Sequence, residues 1–411
     1  MGQHDRETDE GDLWCYVPLD RYGRPTDVPQ EAVRTGLRGL WNRLRPKPAP
    51  HDALMTGQDL RAVPQQLLDE VAPPPDFGAA VPAFDEALRE WLKADQPEPP
   101  VLVIVDAPHS GTSLVLHAWA KANGWRPIAS PTTEQILAGD AGAFDALSTD
   151  GDTPSFVPYL EHWYLRHHDG LTLVRRLLDW LYSSRQRCII ACDSWAWAYL
   201  SRALHLDVVL PFPLTLDAFD HARLQRWFRG LSMKSGRPPF IFRQADNGRC
   251  VLPPVGAECD DGREAEVTGF TKRLAIHCRG VPGIAWAMWR HSLRCPAEDE
   301  VEEEARDAAD GDRGGTIWVR PWHRLDWPAV PAATTRSDLL VLHTLLLHGG
   351  LPDPLLTELL PFATTVILRS LQRLRACGLL EEFNGRWRVT RLGYPAVRQF
   401  LRSDGYLVDA F

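Results

Sequence analysis

The chain has 411 residues, 44% of them apolar, enough for two or three domains with sizeable cores. A net charge of -9 excludes a protein that coats nucleic acid through its overall field, though it is compatible with a local basic patch. Eight scattered cysteines with no C-x-x-C pair give neither a zinc site nor a disulfide framework, which suits a reducing compartment.

The N-terminal MGQHDRETDEGD is polar and acidic, unlike a signal peptide. No apolar run approaches the roughly 20 residues of a spanning helix. A soluble, cytoplasmic protein is expected. Residues 1–78 read as a partly ordered extension rich in Pro and charge. Within it, Gln30–Arg45 has helical spacing, with Val33, Leu37, Leu40, Trp41 and Leu44 on one side and Arg34, Arg38, Arg43 and Arg45 around the rest. Such a helix docks to an acidic partner or a membrane surface, or it packs against the next domain; packing is the preferred reading.

A helix over Phe84–Lys93 and a Pro-rich joint lead to Val101–Ser113, VLVIVDAPHSGTS. Five apolar residues, a polar turn and a helix-like stretch describe a strand buried in a parallel sheet. The turn has the frame of a phosphate-binding loop, G-x-x-x-x-G-K-S/T. Gly111 and Ser113 keep their places, but Asp106 stands at the first glycine and Thr112 at the lysine. Backbone N–H groups around Ser110, Gly111, Thr112 and Ser113, at a helix start, can still hold an anion. His109 is a further source of positive charge.

Strands follow near Trp125–Ala129, over Phe156–Leu160 ending on Glu161, over Cys188–Cys192 ending on Asp193, and over Asp207–Leu210. Helices over Leu171–Ser183 and 195–204 separate them, so the expectation is an α/β, doubly wound, five-stranded parallel sheet. The 16 tryptophans are spread along the chain and read as packing. His162, His167, His168 and Asp169 lie close in sequence without a proven ligand spacing, and no metal is expected there. A helix over 216–231 precedes a hairpin in PFIFRQADNGRCVLPP, turning at Asn247-Gly248. Thr268–Leu293 is helical but broken by RGVPG, and Glu298–Asp312 is an acidic run expected to be a solvated linker. A strand over Thr316–Val319 and another Pro-rich joint come next.

Helices are then expected over Ser337–His348, Asp353–Leu360 and Ala363–Ala376. LLEEF and RWRVT flank Asn384-Gly385 as a hairpin, and a last helix covers Tyr394–Leu401. Three helices followed by a two-stranded ribbon make a winged helix-turn-helix.

This order resembles the P-loop ATPases of the AAA+ and STAND type, which join a five-stranded nucleotide core, a helical lid and a C-terminal winged helix. The resemblance covers roughly residues 80–400 and is one of architecture. It implies a P-loop NTPase-like core at 79–232, a hairpin and helical lid at 233–296, an acidic and Pro-rich linker at 297–335 and a winged helix at 336–411. It implies ATP or ADP with magnesium at His109–Ser113, bound weakly because Thr112 cannot neutralise terminal phosphates, and Ser113 keeps the hydroxyl that would face the magnesium ion. RGVPGIAWAMW looks like the G-x-P motif of STAND proteins, through Gly280 and Pro282, with a simple helix kink as the alternative.

Two strands compete for the family's acidic motif. If it lies on Cys188–Asp193, Asp193 is the carboxylate. If it lies on Phe156–Glu161, Glu161 is the carboxylate and Asp193 falls at the sensor position; this second assignment is preferred. Neither gives an adjacent carboxylate pair, so the sequence leans against an active ATPase. Arg369, Arg373, Arg375, Arg386 and Arg388, with Arg391, fit phosphate and groove contacts to duplex DNA or a protein-docking surface. The expected function is a regulatory or scaffold protein with weak or no ATP hydrolysis, acting through protein contacts of its winged helix, with oligomer formation compatible with that role. The alternative is an ATP-binding, DNA-associated regulator.

Overall fold

The computed structural model describes residues 13–26, 60–95, 97–140, 142, 153–184, 186–233, 239–253, 268–296 and 315–411. The expected helix Gln30–Arg45 and the acidic stretch Glu298–Asp312 lie outside the described residues. In chain order the elements are β1 (Tyr16–Pro18), β2 (Leu60–Ala62), α1 (Gln65–Val71), α2 (Val81–Lys93), β3 (Val101–Asp106), α3 (Thr112–Ala122), β4 (Arg126–Pro127), α4 (Thr133–Ala138) and β5 (Ser155–Val157). Then come α5 (Thr172–Ser184), β6 (Cys188–Asp193), α6 (Ser194–Leu204), α7 (Leu206–Val209), β7 (Leu214–Leu216), α8 (His221–Ser232), β8 (Ile241–Gln244), α9 (Phe270–His277) and α10 (Pro282–Ser292). The chain closes with β9 (Leu293–Pro296), β10 (Thr316–Val319), α11 (Arg336–Leu347), α12 (Asp353–Leu359), α13 (Thr364–Ala376), β11 (Leu380–Phe383), β12 (Arg386–Val389) and α14 (Tyr394–Ser403).

The described residues divide into two compact units, one from the segments up to Gly23, Asp76–Asp217 and Trp327–Phe411, the other from Arg24–Pro75 and Ala218–Asp326. The first unit holds a six-stranded sheet in the order β1-β7-β3-β6-β5-β4. Five strands run parallel, and β1 adds an antiparallel edge to β7, a sixth strand that the sequence did not announce. The apolar runs of β3 and β6 are buried along nearly their whole length, as strands covered on both faces must be. Their register runs from Val101 opposite Cys188 to Asp106 opposite Asp193, so both end on a carboxylate at the same edge. From β3 the chain passes to the far edge strand β4, whereas β7 pairs on the other side of β3. That reversal of strand order opens a crevice at the carboxyl ends of β3 and β6.

Two expected strands are corrected. Asp207–Leu210 is not the fifth strand: Leu206–Val209 is a helical turn. Leu206 and Leu210 are buried four residues apart while Val208 is 73% exposed, a helical and not an alternating pattern. The strand falls instead at Leu214–Leu216. The third parallel strand stops at Val157, which leaves Glu161 on a one-turn 3-10 helix, Leu160–His162.

The C-terminal helices α11–α13, the β11–β12 hairpin with Asn384 and Gly385 at positive φ, and α14 belong to this same unit. Leu351 and Trp387 exchange backbone hydrogen bonds and so add a bridge beside the hairpin. Gly350 permits it: at φ 101 a Cβ there would sit 2.8 Å from the Trp387 carbonyl oxygen. Tyr164 Oη donates to the Leu347 carbonyl at 2.6 Å. Asp409 is fully buried and accepts from Ser194 Oγ (2.6 Å), Tyr394 Oη (3.1 Å) and Arg398 Nε (2.6 Å). Each partner holds a group that burial would otherwise leave without a hydrogen bond.

The second unit holds a sheet in the order β2-β9-β10-β8 with α8, α9 and α10. The Trp289 and Phe228 rings stack at 4.8 Å in its core. Around Asn247-Gly248 the expected hairpin is reduced to one antiparallel bridge, Arg243 to Cys250; the ladder partner of β8 is β10, in parallel. Pro253, three residues past Cys250, has no N–H with which to extend a ladder. The expected break falls between α9 and α10. Gly280, at φ 77, lets Phe219 N donate to its carbonyl at 2.9 Å, and a Cβ there would meet Ala218 at 2.6 Å. Pro282 is the first residue of α10, where its missing N–H costs nothing, and it is buried. Among the described residues no helix is long and apolar enough to cross a membrane.

Candidate functional site

The turn between β3 and α3 is fixed by three features. His109 and Gly111 take positive φ, 72° and 83°. Gly111 opens α3, and its carbonyl accepts from Leu114 N and Val115 N at 2.9 and 3.1 Å. A Cβ on Gly111 would lie 2.5 Å from the Phe77 ring, so only glycine lets that ring seat on the loop.

Asp106, 5% exposed, accepts from Thr215 Oγ1 at 2.6 Å, from Leu216 N at 2.8 Å and from Thr112 Oγ1. Burial raises its carboxyl to a pKa of about 6 against the pull of those three donors. Thr112 is therefore turned onto Asp106. Ser113 bonds through its side chain to the Tyr159 phenol, and its carbonyl accepts from His117 Nδ1 at 2.8 Å.

His109 bonds to the backbone of Val389 and meets the Tyr394 ring edge-on at 6.2 Å. Burial, and then the charges of Arg391 and Arg388, lower its pKa to about 3. It is neutral at physiological pH. This corrects the expectation that His109 adds positive charge to the loop.

Glu161 is 8% exposed and accepts from Asp193 N at 3.2 Å. Asp193 caps α6 by accepting from Trp195 N at 2.9 Å. Burial raises both carboxyls, and the charge of Glu161 raises Asp193 further. Among the described residues, the loop residues 106–114, both carboxylates, the α11 end through Gly350, and Arg388 and Arg391 line one cavity of about 310 Å³. That volume is at the small end of ligand pockets. His109, Ser110, Gly111, Thr112, Ser113, Glu161 and Asp193 thus meet in one place, whereas Pro282 belongs to the second unit.

The basic residues divide. Arg369 and Arg375 are exposed on α13. Arg373 pairs with the buried Asp338. Arg386 donates to the Gly350 carbonyl at 2.6 Å and lies 3.5 Å from His162 Nε2. Arg388 Nε donates to Glu381 at 2.7 Å, with its guanidinium 4.3 Å over the Phe383 ring. His167, His168 and Asp169 bring their ligand atoms within 4.8 Å of one another on the surface, without His162. Sequence reasoning missed Phe77, Tyr159 and the end of α11 as cavity walls, since each reaches the loop only through tertiary packing. The one local signal for the inward turn of Thr112 was a carboxylate six residues before it, across the loop.

No family model and no curated protein matches the chain. Among solved structures it is similar to the Thermotoga maritima RuvB Holliday junction branch migration motor, at 14% identity and TM-score 0.32, covering 82% of this chain and 99% of that one. It is similar to the Aeropyrum pernix ORC2 protein at 12% identity and TM-score 0.31, covering 84% and 98%. It is also similar to the Walker-type ATPase PABY2304 of Pyrococcus abyssi at 13% identity and TM-score 0.29, covering 80% and 96%. Overlaps this loose carry no inference about the chemistry of this chain.

Proposed function

We propose that the chain is an ATPase-fold regulatory or scaffold protein of AAA+/STAND-like build, with a degenerate phosphate-binding loop. It binds magnesium nucleotide weakly, hydrolyses it weakly or not at all, and acts through protein contacts of a C-terminal winged helix. The observation that carries this reading is the Thr112 hydroxyl bound to Asp106 where the phosphate-loop frame places a lysine. The crevice at the strand ends and the amides of Gly111–Ser113 suit an anion, but the loop itself brings no cation to it. Burial holds Glu161 and Asp193 towards their neutral forms, which weakens either as a magnesium ligand. The test is phosphate release from Mg-ATP by the full chain. Turnover near ~1 per second or faster overturns the reading.

Docking by α13 is supported by its exposed surface, where Val366 (37%) stands beside Arg369 on one flank and Leu368 (38%) beside Arg375 on the other. Apolar anchors rimmed by guanidinium groups suit an acidic protein surface. Two arginines on a chain of net charge -9 make a poor grip on duplex DNA. A gel shift with random duplex at about 100 mM salt is expected to show no retardation. A salt-sensitive shift lost in Arg369→Glu/Arg375→Glu would replace docking with the DNA-associated alternative.

A further inference from the structure

The cavity at the loop has a charge arrangement that the loop residues alone do not explain. Gly111–Ser113 present backbone N–H groups at the start of α3, while Ser110 N donates to the Ala107 carbonyl at 3.2 Å; Thr112 donates to Asp106 and His109 is neutral. The cations on the cavity wall are Arg388 and Arg391, from β12 and the residues just after it. Both lie close enough to His109 to depress its protonation. Arg388 uses Nε for Glu381 and its face for Phe383, which fixes the plane of the guanidinium and, among the described residues, leaves its terminal N–H groups to the cavity. The hairpin that carries them is tied to the loop through Val389 and His109 and to α11 through Trp387 and Leu351.

Building on the nucleotide-fold reading above, the geometry points to Arg388 and Arg391 as the replacement for the loop lysine: a diphosphate or triphosphate seated on the Gly111–Ser113 amides is clamped by the C-terminal hairpin and the residues just after it. Guanidinium groups suit this task because their planar forks bind phosphate oxygens in pairs. The arrangement has a consequence that a lysine in the loop would not have. Ligand binding and hairpin docking become one linked equilibrium, so the phosphate strengthens the hairpin contact and release of the hairpin releases the phosphate. The ligand class is therefore a nucleoside diphosphate or triphosphate, recognised chiefly by its phosphates.

The experiment titrates the full chain with Mg-ADP, with pyrophosphate and with adenosine by calorimetry, for wild type, Arg388→Gln, Arg391→Gln, the charge-retaining Arg388→Lys and Arg391→Lys, and Arg402→Gln on the exposed end of α14 as control. The expected result is a loss of about tenfold or more in Mg-ADP and pyrophosphate affinity for each glutamine variant. The lysine variants recover most of it, and Arg402→Gln behaves as wild type. Amide exchange over 380–391 is expected to slow when wild type is saturated with Mg-ADP. Glutamine variants that melt like wild type without ligand and bind Mg-ADP with unchanged affinity overturn the clamp while leaving the nucleotide-fold reading standing. Adenosine binding as tightly as ADP also overturns the clamp. Wild type that binds none of the probes at millimolar concentration overturns the nucleotide reading itself, and the clamp with it.

Discussion

Replacing Asp106 tests whether the loop is held by a buried carboxylate in place of a glycine turn. Asp106→Asn keeps the shape and can still accept from Thr215 and Leu216, while its amide can donate to Thr112, whose oxygen has free lone pairs. What the change removes is a buried charge. The carboxyl stands at about 6 in the fold and 3.8 when unperturbed, a rise of about 2 units at 1.36 kcal/mol each. A raised acid favours the fold when protonated, so its contribution is present below the unfolded value and declines as pH climbs through 3.8 to about 6. Between pH 4 and pH 8 the wild type should therefore lose ~2 kcal/mol that Asp106→Asn does not lose. Urea unfolding of both proteins at the two pH values, followed by tryptophan fluorescence, measures the difference. Asp106→Ala instead leaves the Leu216 N–H without its acceptor and should cost about 1–3 kcal/mol or more at either pH. A pH-independent gap between wild type and Asp106→Asn, or a neutral Asp106→Ala, refutes the idea that this carboxylate organises the loop.

Other expectations are as direct. Thr112→Lys alone should raise Mg-ATP affinity little, because Asp106 captures the new ammonium; Thr112→Lys with Asp106→Asn should raise it about tenfold, read by calorimetry. Gly111→Ala should lower the melting temperature through both the positive φ and the Phe77 ring, and Phe77→Ala should restore only part of the loss. Asp409→Ala strips Arg398 of its buried partner and should cost ~3–5 kcal/mol in denaturant unfolding, with Ser194→Ala much milder.

The local order of elements could be read because apolar periodicity and turn residues act over a few positions. The run 101–105, the cap and breaker at 279–282, and the Asn384-Gly385 turn each encode their own backbone. Asp207–Leu210 misled because three apolar residues behind an aspartate fit a strand and a helical turn equally, and only the burial of Leu206 with Leu210 decides between them. The phosphate-loop frame was likewise legible as spacing, and with it the meeting of Ser110–Ser113, Glu161 and Asp193 at one sheet edge. Where each side chain points was not legible, because it depends on partners far along the chain. Asp106 finds Thr215 and Leu216 about a hundred residues later, and His109 is neutral because tertiary packing buries it and brings Arg391 and Arg388 against it. Spacing along the chain sets the loop; long-range packing brings in the charges around it, since electrostatic fields depend on distance in space and not on separation in sequence.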